Sequence, residues 1–113
     1  DAYTPYLREL AADVAQQEGI ELQQGVYAGL LGPSFETAAE VAALGCLGAS
    51  FAGMSLVCEA IMAHALGMNV LGLTLAANMA GEAGVTHESV LEVAADHEAD
   101  FERLVRGVLA RLK

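Results

Sequence analysis

The sequence predicts an α/β fold, with a mostly parallel central sheet flanked by helices. Three observations carry this reading. Helix-like and strand-like patterns alternate along the 113 residues in the order helix, strand, helix, strand, helix, strand, helix. Such an order calls for parallel strands joined by right-handed crossovers. Residues 41–58 carry no charge and residues 60–81 carry only His64, yet Gly45, Gly48, Gly53, Gly67 and Gly72 break both runs, as do Ser50, Ser55, Asn69 and Asn78. Strands buried on both faces read this way, whereas a membrane helix needs about 18 unbroken apolar residues. The third observation is the stretch Gly32-Pro33-Ser34-Phe35-Glu36-Thr37-Ala38-Ala39-Glu40. An apolar run from Val26 to Leu31 enters it and an Ala-rich helical pattern leaves it. It reads as a strand, a tight turn and a helix start, and the carboxyl ends of strands are where open α/β sheets bind ligands.

The elements follow in order. Residues 5–17 place Tyr6, Leu7, Leu10, Ala11 and Val14 on one face at helical spacing, and Gly19 supplies the stop. Residues 24–31 read as a strand and residues 36–44 as a helix that ends near Gly45. Residues 49–54 form a short buried strand, after which Ser55 is placed to cap a helix running through Ala65 and closed by Gly67. Residues 69–76 read as a further buried strand, and residues 78–84 as a loop. Thr86 is placed to cap a last helix through Leu112, with Val90, Ala94, His97, Phe101, Leu104 and Val108 on one face. Three strands fall short of the usual sheet of about four to six. The chain reads as half a sheet.

Composition narrows the function classes. The chain is 55% hydrophobic with a mean hydropathy of +0.44, enough apolar material for a sizeable core. Only 5% is aromatic, so that core is built from Ala, Leu, Val and Met. A net charge of -10 argues against nucleic-acid and anionic-membrane binding, which rely on clustered Lys and Arg. Cys46 and Cys58 lack metal-ligand spacing and sit among apolar residues, which reads as buried thiols in a reducing compartment. No basic-then-apolar leader is visible, so a cytoplasmic location is expected, and the opening on Asp1 suggests a trimmed or partial chain.

Four points fall at strand ends or helix starts: Phe35-Glu36, Met54-Ser55, Asn78 and His87. Brought together, they would offer a stacking ring, an acceptor carboxylate, an apolar floor, a hydroxyl at a helix start, an amide and an imidazole. That set suits a nucleoside. Each has a plainer reading beside it: Glu36 as a first-turn acid, Phe35 and Met54 as packing residues, Asn78 as a turn residue. Ser55 could be a simple cap and His87 an exposed helix start, and Tyr27 suits strand packing as well as a pocket wall. His64 and His97 read as structural. Glu40 reads as structural or solvated, and the acids along the last helix as solvated surface.

The stretch 32–40, Gly53-Met54-Ser55-Leu56-Val57-Cys58-Glu59, Leu75-Ala76-Ala77-Asn78 and Thr86-His87-Glu88, in that order, resemble the C-terminal half of trimeric, 6-oxopurine-specific purine nucleoside phosphorylases. The opening Asp1-Ala2-Tyr3 and Gly25-Val26-Tyr27 are also similar to that family. The resemblance covers essentially all of residues 1–113. It implies part of a phosphorylase-type three-layer fold, and reversible phosphorolysis of purine (deoxy)nucleosides in purine salvage, by a homotrimer. No metal or organic cofactor is implied; inorganic phosphate is a co-substrate.

By resemblance Phe35 stacks on the base, Glu36 binds its N1 side and Asn78 bonds the O6/N7 edge. Met54 lies against the ribose, His87 reaches the 5′-hydroxyl, Ser55 helps hold phosphate and Tyr27 lies near the base pocket. Glu36 and Asn78 are then the catalytic pair. Two positions depart from the family pattern: Cys58 where Pro is usual, and Ala77 where a hydroxyl residue commonly precedes Asn78. The family's phosphate loop, its phosphate-binding Arg and a further His have no counterpart in these residues. The fragment is therefore expected to supply the base-recognition side and to turn over little alone. Two other classes stay open, a non-catalytic nucleoside-binding or assembly domain and a nucleosidase that uses water.

Overall fold

The computed structural model describes residues 2–82 and 84–112. Its elements are α1 (Pro5–Glu18), β1 (Tyr27–Gly29), α2 (Ala38–Cys46), β2 (Phe51–Gly53), α3 (Val57–Ala65) and α4 (His87–Leu109). Local signals set most of the ends. Pro5 opens α1, where its missing N–H is no loss. Gly19 ends α1 at φ 68°, with Gly19 N–H on the Gln16 carbonyl and Ile20 N–H on the Ala15 carbonyl. That pair of bonds is the glycine-terminated helix stop, and Ile20 then packs on the core. Gly67 closes α3 in the same way, at φ 74°. Gly67 N–H bonds the His64 carbonyl and Met68 N–H the Ala63 carbonyl, both at 3.0 Å.

Thr86 caps α4 as expected: its hydroxyl accepts from Ser89 N–H at 3.2 Å, and Ser89 Oγ accepts from Thr86 N–H at 3.1 Å. α2 begins two residues later than the sequence reading of 36–44 placed it, because Thr37 is its cap and Glu36 lies before it. The signature Thr-x-x-Glu was in the sequence, at Thr37 and Glu40.

β1 and β2 pair in parallel with Tyr27 opposite Phe51, Ala28 opposite Ala52 and Gly29 opposite Gly53. The expected parallel sheet is thus present, and α2 is the crossover between its strands. Each strand is only three residues long, shorter than the expected 24–31 and 49–54. Bonds from Ser50 and Phe51 N–H to the Val26 carbonyl, and from Leu30 N–H to Gly53, extend the contact without extending the ladder.

The expected third strand, 69–76, is not a strand among the described residues. It is tied by Thr4 N–H to the Val70 carbonyl and by Val70 N–H to Thr4 Oγ1. Leu71 and Leu73 still alternate inward, onto the core, as a strand would. The side-chain alternation is that of a strand, but a strand also needs a neighbouring backbone, and none among the described residues is in register with it.

The core lies where α1 crosses α4. Ala11, Val14, Ala15, Leu104 and Val108 form it, with Leu10, Ile20, Leu22, Leu71 and Leu73 against it. Gly107 permits the crossing, since a Cβ there would collide with the Val14 side chain. Arg103 bridges the same seam to Glu18 at 3.8 Å, and Arg111 donates to Gln17 at 2.7 Å.

The sizeable core expected from composition is not seen: only seven apolar residues are buried among those described. Cys46 and Cys58, expected to be buried, are exposed, as are His64 and His97. The reason is common to all four: nothing among the described residues packs over the outer faces of α2 and α3 or over His97 on α4.

Candidate functional site

The β1 and β2 ends converge, and the glycines there show how closely. The Tyr27 ring lies across β2, so that a Cβ at Gly53 would strike its hydroxyl. Gly29 meets the side chain of Val57, at the start of α3, in the same manner. Gly32, at φ 63°, faces the Met54 sulfur. Three glycines therefore let the loop after β1, the loop after β2 and the start of α3 close on one another.

Ser55 does not cap α3, contrary to the sequence reading. The residue at the cap is Leu56, with no side-chain capping bond. Its φ of 68° and ψ of −41°, with Val57 N–H on the Ser55 carbonyl at 2.8 Å, make a γ-turn of the strained, positive-φ kind. Ser55 is held instead by Tyr27, 28 residues earlier. The Tyr27 hydroxyl accepts from Ser55 N–H at 3.3 Å and lies 3.4 Å from Ser55 Oγ. No local signal could have announced that bond, which depends on the register of β1 against β2.

Thr37 and Glu40 form a reciprocal cap beside the loop that carries Phe35 and Glu36. Thr37 N–H and Oγ1–H donate to Glu40 Oε2 at 2.7 and 2.8 Å, and Glu40 N–H returns a bond to Thr37 Oγ1 at 3.3 Å. The Thr37 backbone N–H, then its hydroxyl, hold the Glu40 carboxyl below its ordinary pKa. Glu40 is thus a structural residue, as expected, and it leaves its neighbour Glu36 to other work. Glu36 is half-buried and makes no side-chain hydrogen bond among the described residues. Phe35 is 55% exposed and Met54 44% exposed, so both present open apolar surface.

Asn78 and His87 lie in the loop and helix start beyond. The Asn78 amide donates to the Met79 carbonyl at 3.2 Å, and Met79 N–H donates to Glu82 at 3.2 Å. Gly81 approaches Val41 of α2, which brings this loop against the same helix that follows Glu36. His87 is exposed on the first turn of α4. Glu88, next to it, is held below its ordinary pKa by its own backbone N–H, then by the Thr86 hydroxyl, with a small contribution from His87.

The structure thus joins Tyr27, Ser55, Met54 and Gly32 directly. It holds Phe35 and Glu36 at the adjacent loop, while Asn78 bonds only within its own turn. Among the described residues no three of His, Cys, Asp and Glu converge as a metal site requires. No helix among them is long and apolar enough to cross a membrane. A groove of about 650 Å³ between residues 73–75 and α4 lies elsewhere, against Ala94, His97 and Phe101.

A parallel α/β unit with a polar cluster at its strand ends defines a class, and the sequence comparison agrees with it. Residues 1–110 match the Phosphorylase superfamily, to which the chain belongs. Within it, the chain is similar to purine nucleoside phosphorylases. It is 46% identical to that of Mycobacterium bovis over 98% of this chain and 41% of the relative. A Schistosoma purine nucleoside phosphorylase solved with hypoxanthine superposes at a TM-score of 0.93 with 31% identity, over 99% of this chain and 42% of that one. A Schistosoma mansoni enzyme solved with adenosine superposes at 0.92, also with 31% identity, over 99% and 43%. The chain spans about two fifths of the length of the curated relatives it matches.

Proposed function

We propose that this chain is the base-recognition part, from the C-terminal half, of an enzyme that reversibly phosphorolyses 6-oxopurine (deoxy)nucleosides. Inosine and guanosine would yield free base and (deoxy)ribose 1-phosphate in cytoplasmic purine salvage. The active assembly is a homotrimer needing phosphate as co-substrate and no metal or organic cofactor. The observation that carries the reading is the match along residues 1–110, with the Tyr27, Met54 and Ser55 cluster at the strand ends.

The chemistry fits the residues. A phosphate oxygen attacks C1′, the bond from C1′ to N9 breaks, and its electron pair leaves on the purine. Asn78 would stabilise that charge at N7 and O6, where a preorganised donor lowers the barrier most. Glu36 would accept the N1–H of hypoxanthine or guanine, whereas adenine offers only an acceptor there. Phe35 would stack on the base, Met54 would floor the ribose and His87 would meet the 5′-hydroxyl.

Ser55 alone cannot neutralise a phosphate dianion. Arginines that could help are engaged: Arg103 and Arg111 at the seam of α1 and α4, with Glu18 and Gln17, and Arg103 and Arg106 along α4 itself, with Asp100 and Glu102. This supports assigning the chain the base side, with the phosphate cradle supplied by the rest of a longer fold.

The test is inosine cleavage by the full-length protein that carries this chain, with and without inorganic phosphate. Release of hypoxanthine only with phosphate supports phosphorolysis. Release without it would transfer the reading to a nucleosidase. Purine binding without turnover in any buffer would reduce it to a binding or assembly domain.

A further inference from the structure

The Tyr27 hydroxyl is committed in a way that neither strand packing nor a pocket wall requires. It takes one lone pair's worth of bonding from Ser55 N–H at 3.3 Å and sits 3.4 Å from Ser55 Oγ. Tyr27 is anchored in β1 opposite Phe51, so the hydroxyl is carried by the sheet. Ser55 is followed by the strained Leu56 turn, with φ at 68°, and is not fixed by any cap of its own. Gly53 keeps the space through which the ring reaches it, since a Cβ there would occupy the hydroxyl's place.

We propose that Tyr27 is a positioning residue for Ser55, whose hydroxyl it aims at the phosphate co-substrate. The inference rests on the phosphorolysis reading above and deepens it. A phenol has one proton and two lone pairs, as does a serine hydroxyl. Either oxygen could donate across the 3.4 Å contact; in the polarity proposed, one Tyr27 lone pair takes Ser55 N–H and the Tyr27 proton goes to Ser55 Oγ. The Ser55 proton is then free to donate outward, which is the polarity an anionic oxygen needs. The reverse arrangement, with Ser55 donating to Tyr27, would point a lone pair at the anion and repel it. The chain of bonds also polarises each member, strengthening the outward donor. Tyr27 therefore acts on the phosphate side of the reaction and works through Ser55, without touching substrate.

The decisive variant is Tyr27→Phe, which keeps the ring and removes only the hydroxyl. Steady-state phosphorolysis of inosine by the full-length protein that carries this chain should show KM for phosphate raised roughly tenfold, the worth of a hydrogen bond serving a charged group, with KM for inosine within about twofold. Ser55→Ala combined with Tyr27→Phe should be no worse for phosphate than Ser55→Ala alone, since the tyrosine acts only through that serine. Gly53→Ala, which displaces the hydroxyl from the other strand, should reproduce the phosphate effect. An unchanged phosphate KM, an equal rise in inosine KM, or effects of the two substitutions that multiply would each overturn the proposal.

A readout without turnover separates this failure from failure of the functional reading. Titration with inorganic phosphate should move the Ser55 amide resonance, at roughly tenfold higher phosphate in Tyr27→Phe. If inosine is not cleaved with phosphate, the proposed function falls and this titration decides the tyrosine's role. Equal phosphate dependence in both proteins, or no movement of Ser55, overturns that role.

Discussion

Thr37 and Glu40 show how much one pair of side chains can settle. Their reciprocal bonds fix where α2 begins, and so fix the loop that presents Phe35 and Glu36. Thr37→Ala should cost about 1 kcal/mol of stability, the usual worth of a helix cap, read as a lower urea midpoint at unchanged slope. Because the folded Glu40 carboxyl sits below its ordinary pKa, its contribution is complete above the ordinary carboxylate range. It is lost as pH falls through the folded value, below that range. The protection of the Thr37 and Glu40 amides from exchange, taken relative to their intrinsic rates, should therefore fall in acid, and Glu40→Gln should flatten that dependence. An acid profile unchanged by the substitution would remove Glu40 from the cap. On the proposed function, Glu36→Gln in the full-length protein should erase most of the preference for inosine over adenosine while leaving phosphate dependence intact. The adenosine complex of a Schistosoma mansoni relative makes that comparison the informative one. Equal selectivity before and after would show that Glu36 does not read N1.

Between elements, the contact of α1 with α4 holds most of the buried residues among those described. Val14 is fully buried and Gly107 lies directly against it. Gly107→Ala should cost about 1–3 kcal/mol by overpacking. The alternative, a gain from higher helix propensity, would require the two helices to part without loss. Leu104→Ala, at a residue 4% exposed, should cost about 2–5 kcal/mol through the cavity left behind. Both are read from urea unfolding. The face along α4 was only half legible in the sequence. Leu104 and Val108 are buried as the spacing required, but His97 and Phe101 of the same face open onto the groove beside residues 73–75. Periodicity names the face that can be buried; it does not say how far along the helix a partner extends.

For the whole molecule, the accessible surface of 8116 Å² exceeds the roughly 5,900 Å² of a compact monomer of this mass. The radius of gyration, 15.1 Å, likewise exceeds the roughly 13 Å expected. Large apolar side chains remain in the open, among them Leu31, Leu47, Leu66 and Met79. Among the described residues the sheet has only the strands β1 and β2, so neither has a second neighbour. Patches and edges of this kind associate. The chain should sediment above its 11.7 kDa monomer mass at high concentration and bind a hydrophobic dye. A monomer that binds no dye would mean that these faces close in solution.

The sequence by itself determined what short-range chemistry can decide. The glycine stops at Gly19 and Gly67, the cap at Thr86, the alternation of Leu71 and Leu73, and two parallel strands joined through a helix all follow from residues within a few positions of one another. The motif order that marks the superfamily was legible for the same reason. Tertiary structure alone decided that residues 69–76 find no ladder partner, that Cys46 and Cys58 stay exposed, and that Tyr27 rather than a cap holds Ser55. Each of these depends on which surface arrives from far along the chain. A strand needs a neighbour's backbone and burial needs a covering layer, and neither is a property of the residue itself.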